Sequence, residues 1–171
     1  MRIGGGAVSI ADVTDRALRD LGFTRPFWLN EIRAGRAFTR GGTQLAVGGE
    51  FSHLQLFNPV GSGVTILVHR AQAAVNSTNI TSYRILNVST GALVGVGVNL
   101  LSGQAAGVGQ VRSFSNVALQ GTQARILQVN QVDFLDWVKD WDFELGAGEG
   151  IALAVDAVNV RIDAYLDWIE L

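Results

Sequence analysis

The sequence predicts an all-β fold, an antiparallel sandwich or barrel, preceded by an N-terminal extended arm with room for one short helix. Three observations predict it. Apolar residues occupy every second position near the C-terminus, short β-branched or apolar runs recur between Gly, Asn, Pro and Ser clusters, and only one segment carries helix signals. A chain of 171 residues, 48% hydrophobic and 16% charged, is long enough for one packed domain with some length left over. The expected division is an arm over residues 1–44 and a sandwich over residues 45–171.

In chain order, "ADVTDRALRDL" over residues 11–21, stopped by Gly22, is the candidate helix. The rest of the arm is rich in Arg and Gly and shows no sustained alternation. "SHLQLFNPVGSGVTILVHRAQAAV" predicts two strands around a turn, because Pro59 fixes φ while Gly61 and Gly63 free it. The run Val64, Thr65, Ile66, Leu67, Val68 suits a strand buried on both faces. "TSYRILNVS" and "ARILQVNQV" add two strands. In "ALVGVGVNLL" the apolar residues alternate with Gly95, Gly97 and Asn99, and glycine on one side of a strand marks the close approach of another backbone or a partner.

Residues 134–141 remain open between helix and strand. Phe134, Trp137, Val138 and Trp141 have helical spacing, yet Trp141, Phe143 and Leu145 alternate with Asp140, Asp142 and Glu144. The second half is read as a strand entering the turn "LGAGEG", followed by "IALAVDA" and, through "AVN", by a strand in which Val158, Val160, Ile162, Ala164, Leu166 and Trp168 share one face.

Composition removes several function classes. Cysteine is absent, which excludes disulfides, thiolate catalysis and Cys-ligated metal centres. No apolar run approaches a membrane span, and the early acids argue against a secretory signal, so synthesis in the cytoplasm is expected. The Asn-x-Ser/Thr triplets at Asn76, Asn79 and Asn87 are then turn chemistry. The net charge of -2 argues against a nucleic-acid binder. Charge is nevertheless polarised: residues 1–40 carry seven Arg against four acids, and residues 133–171 carry ten acids against Lys139 and Arg161. Such polarity suits head-to-tail contact between copies, or equally two unrelated solvated faces.

No enzyme signature emerges. A phosphate-binding glycine loop needs a helix after it, whereas Gly146, Gly148 and Gly150 lead into strand periodicity. His53 and His69 lie on separate expected strands and are read as structural. Asp140, Asp142 and Glu144 start like a calcium loop, but Leu145 and Ile151 stand where Gly and Glu are needed. No Gly-x-Ser-x-Gly nucleophile motif occurs. No cofactor and no metal is expected. The arm instead offers an interface: Phe27, Trp28, Leu29, Ile32 and Phe38 interleave with Arg25, Arg33, Arg36 and Arg40, the residue types enriched at binding hot spots, or else they fold back onto their own sandwich.

"FNPVGSGVTILVHR" and the closing "WDFELGAGEGIALAVDAVNVRIDAYLDWIEL" resemble the small jelly-roll structural proteins of tailed bacteriophages, with an Asn-Pro-x-Gly-Ser-Gly turn before an apolar strand and a Gly-Glu-Gly turn before a final strand with an aromatic-acidic end, here Trp168 and Glu170. The resemblance covers residues 51–171, with Ala147 in place of the usual proline. It implies a jelly-roll β-sandwich and a non-enzymatic virion component. Such a component is a head-decoration (cement) protein or a tail or fibre part, commonly a homotrimer, that contacts the major capsid protein or other virion proteins and neither nucleic acid nor membrane. The alternative function is a tail or fibre carbohydrate-binding module with Trp28, Trp137 or Tyr165 as sugar platforms. A small β-sandwich glycosidase is a third reading, which requires two convergent carboxylates.

Overall fold

The computed structural model describes residues 27–76, 79–129 and 143–171, of which Phe27, residues 79–80 and residues 125–129 only as backbone. They form one helix, α1 (Phe27–Arg33), and eleven strands: β1 (Ala37–Gln44), β2 (Phe51–Phe57), β3 (Ile66–Val75), β4 (Asn79–Ile85), β5 (Ala92–Val96), β6 (Val98–Asn99), β7 (Gln110–Asn116), β8 (Thr122–Val129), β9 (Phe143–Leu145), β10 (Gly150–Val158) and β11 (Ile162–Glu170). The expected helix over residues 11–21, Arg25 and residues 134–141 lie outside the described residues. None of the described helices is long and apolar enough to cross a membrane.

The strands form two packed sheets, in the orders β6-β1-β11-β3-β9 and β5-β7-β2-β10-β4-β8, with every pairing antiparallel. The quartet β1-β11-β3-β9 faces β2-β10-β4-β8, and the chain changes sheet at each step from β1 to β4 and again from β8 to β11. These are the interlocked Greek keys of a jelly roll. The segment β5–β7 is inserted between β4 and β8 and extends both sheets on the same side.

Alternation places the core. On β11, Ile162, Ala164, Leu166 and Trp168 are buried while Asp163, Tyr165 and Asp167 face outward. Leu54 and Leu56 of β2, Ile66 and Val68 of β3, and Ile151, Leu153 and Val155 of β10 meet them between the sheets. The outer side of β10 is also buried, because a satellite cluster of Leu86, Phe114 and Ala152 covers it. Small Ala152 and Ala154 leave room for that cover.

Four readings of the sequence change here. Residues 37–44, placed in the arm, form β1, which pairs with β11 along its whole length, so the packed domain starts well before residue 45. Its inward positions include Arg40 and Gly42, which hides the alternation. β7 escaped notice for a similar reason: its buried residues, Val111 and Phe114, are not spaced by two. "ALVGVGVNLL" is two strands broken at Gly97, where the chain crosses from one sheet to the other. The crossing needs glycine, because a Cβ there would sit 2.5 Å from Trp168 Cζ2. Val158 ends β10, and Asn159, at φ 62, makes the reversal into β11.

His53 provides a pH-dependent test of this packing. Its ring is fully buried and stacked on Phe114 with centroids 4.5 Å apart. The Gln120 amide donates to Nε2 at 3.2 Å, and Nδ1 lies 3.0 Å from Phe51 O, which fixes the neutral Nδ1–H tautomer. Burial, reinforced by the Arg84 charge, lowers its pKa from 6.5 to about 4 against the opposing pull of Phe51 O. The unfolded chain therefore binds the extra proton first as pH falls, and stability drops between pH 6.5 and about 4. The loss is about 3 kcal/mol. Urea titrations across that window are expected to show this slope, and H53Q to flatten it.

Candidate functional site

The Asn-Pro turn and the Gly-Glu-Gly turn come together at one end of the sandwich. Residues 58–65 lead from β2 to β3, and residues 146–149 lead from β9 to β10. Asn58 is fully buried between them and donates through Nδ2 to Val64 O at 2.9 Å and Leu145 O at 3.0 Å. Its backbone N–H donates to Glu149 O, and Gly148 N–H donates to Asn58 O, each at 2.8 Å. Gly148 has φ 85, and the Glu149 carboxylate accepts the Gly146 N–H at 2.7 Å. A strand follows, not a helix, and the turn's own carboxylate occupies the amide that an anion would need. Gly148 therefore bends the chain, and Gly150 already opens β10. The Asn triplets behave comparably: Asn76 and Asn87 accept N–H groups from Arg161 and Gly150.

The predicted interface residues divide. α1 lies on the outer face of the five-stranded sheet, where Trp28 stacks on His69 of β3 with ring centroids 4.1 Å apart and an 11° interplanar angle. Leu29 and Arg33, four residues apart, share the exposed side of the helix, and Ile32 is half-buried. Arg36 forks onto buried Glu31 at 2.7 and 3.0 Å, which pins the helix to the start of β1. Phe38 is a core residue, stacked on Trp168 with centroids 6.3 Å apart. Arg40 donates to Val94 O at 2.9 Å and bridges β1 to β5 where β6 stops. Phe38 and Arg40 thus hold the fold, while Trp28, Leu29, Ile32 and Arg33 remain as a surface. A register argument would have separated them: Phe38 sits opposite Trp168 on β11.

A second surface lies along the inserted strands. Leu93, Val96, Val98 and Leu100 are exposed on β5, β6 and the turn after them, beside a groove of about 640 Å³ lined by Arg40, Val96, Val98, Leu101 and Gln104. The glycines of this segment are explained by the chain itself. The Arg40 guanidinium lies over Gly95, and the Trp168 indole fills the space at Gly97 and Gly109.

Among the described residues no three His, Asp or Glu side chains gather as a metal site, and His53 and His69 lie in different sheets. No protein-family model, no curated protein and no solved structure matches the chain.

Proposed function

We propose that the chain is a non-enzymatic structural protein of a tailed-phage particle, a head-decoration protein that works as a homo-oligomer, with three copies in a ring, and binds assembled major capsid protein. The observation that carries this reading is the joint wiring of the two resemblance turns through Asn58, inside a jelly-roll topology. The two turns are wired together at one end of the sandwich, which supports reading them as one structural device. The surfaces fit such work. The edge strand β5 carries Leu93 and Val96 beside Val98, and an apolar sheet edge favours contact with another copy. A heterologous contact closes into a ring when the rotation between copies divides the circle, and three copies would close one of threefold symmetry. α1 then presents Leu29 and Arg33 to the particle, and several weak contacts on one ring give durable attachment.

The test combines two surface variants with electron microscopy of particles and measurement of mass in solution. V98E is expected to convert the oligomer to monomer. L29D/R33E is expected to keep the oligomer and lose particle occupancy. A deletion through residue 40 would not serve, because it removes half of β1. Full occupancy by L29D/R33E would overturn the role of α1, and a wild-type chain that stays monomeric and binds no particle would overturn the function.

A further inference from the structure

Tyr165 is the one aromatic among the large apolar side chains exposed on the described residues, at 53% of its surface. It stands on β11 at the centre of the outer face of the five-stranded sheet. Its ring packs against the Gly41 backbone: a Cβ at Gly41 would lie 2.7 Å from Tyr165 Cε1 and 2.9 Å from Cδ1. The missing side chain at Gly41 thus gives the ring a flat seat and leaves its other side to solvent.

The surroundings are polar and ordered. Thr43 donates to Asp163 Oδ1 at 2.5 Å and Arg161 donates to the same oxygen at 2.9 Å, so Oδ2 keeps its lone pairs for an incoming hydroxyl. Burial pulls the Asp163 carboxyl upward, but the hydrogen bonds from Arg161 and Thr43 outweigh it and hold the group below the usual carboxylate range. In register, Tyr165 lies between Gly41 and Gln72, while Asp167 lies between Thr39 and Arg70. Gly41, Gly42, Thr43, Ala74, Val94 and Arg161 join Asp163 and Tyr165 in lining an open groove of about 650 Å³. β6 covers β1 only at Phe38 and Thr39, so among the described residues no strand pairs with the groove edge at Gly41–Thr43.

We propose that this groove binds a neutral saccharide, with one sugar ring stacked on Tyr165 and its hydroxyls hydrogen-bonded by Asp163 and by the edge of β1 that no described strand covers. An aromatic face suits the C–H side of a pyranose, and a fixed carboxylate accepts two neighbouring hydroxyls. Charge favours the neutral class: the Asp163 carboxylate beside Tyr165 is ion-paired with Arg161, so it is already balanced when a ligand arrives. A flat protein partner fits less well, because it would strip water from these charged groups, whereas a sugar replaces that water with its own hydroxyls. Val94 of β5 lines one side of the groove, but Leu93, Val96 and Val98, which carry the proposed contact between copies, do not.

The test is saturation-transfer NMR and calorimetric titration of the full chain with β-1,4-linked glucose, α-1,4-linked glucose and N-acetylglucosamine oligomers, with a uronic-acid oligomer as the charged control. At least one neutral oligomer is expected to bind, and the uronate to bind more weakly. Y165A is expected to weaken binding roughly tenfold or more, and D163N to weaken it less, with melting and oligomer mass showing that both remain folded. If Y165A does not fold because Tyr165 supports Gly41, D163N carries the test. No transfer to any neutral oligomer, or equal affinity in a folded variant, overturns the proposal. So does a change of oligomer mass in Y165A, which would show that the face meets another copy. Particle attachment by Y165A is expected to be unchanged, so the saccharide site and the virion role fail separately.

Discussion

W168A is expected to destabilise the protein by about 3–5 kcal/mol, the range for truncating a large buried aromatic. Trp168 is fully buried and is the largest such side chain among the described residues. It stacks on Phe38, and the backbones of Gly97 and Gly109 close against its indole. A methyl group in its place leaves a cavity that two glycine segments and a strand cannot all collapse to fill. The effect spreads beyond the core. Trp168 Nε1 donates to Glu170 Oε1 at 3.0 Å, and the same carboxylate accepts the N–H groups of Val108 and Gly109 at 2.9–3.0 Å. The pair at the end of the last strand therefore latches the turn before β7 as well as filling the core. Thermal melting of W168A is expected to fall by roughly 10 °C or more. E170Q, which keeps the shape and one acceptor oxygen, is expected to cost less and to show mainly faster hydrogen exchange at Val108 and Gly109. A W168A midpoint within about 2 °C of wild type would contradict the assignment, since that shift is well under 2 kcal/mol for a chain of this length.

N58A is expected to cost about 2–4 kcal/mol, because Val64 O and Leu145 O would lose a buried donor together. N58D is expected to cost more than N58A. The aspartate puts an oxygen where the amide NH₂ stood, facing two carbonyls with no water to screen them. The ordering separates wiring from size, since Asp is nearly isosteric with Asn while Ala is smaller. If N58D were the milder variant, hydrogen bonding by Asn58 would not be what joins the two turns. Denaturant titration of both variants, at constant pH above 7 to keep His53 neutral, measures the difference.

Much of the fold was legible because strand periodicity survives wherever a buried face is built from large side chains. β10 and β11 show it plainly, and Asn-Pro and Gly-Glu-Gly marked real reversals; the run at residues 64–68, expected to be buried on both faces, enters β3 only at Ile66 and leaves Leu67 half-buried. β1 was not legible: facing inward it places Phe38, then Arg40, which reaches across to Val94 O, then Gly42 against Leu54 and Val111. Such a strand is held by its neighbours rather than by its own pattern. The arm residues show the same limit. Arg36, Phe38 and Arg40 look like partners of Trp28 and Leu29 in the sequence, yet they serve Glu31, the core and β5 respectively.

The sequence alone determined that the fold is all-β, that the glycine-rich segment before β10 is a reversal between strands, and that its single-period apolar faces make a sandwich core. These follow from local rules, the two-residue repeat of a strand and the φ freedom of glycine. Only the tertiary structure decided which strands are neighbours, that Asn58 ties its own turn to Leu145, 87 residues away, and that Tyr165 rests on Gly41 with a face left open. Those facts depend on register between distant strands, and register is set by how the two sheets fill the space between them, which no segment encodes alone.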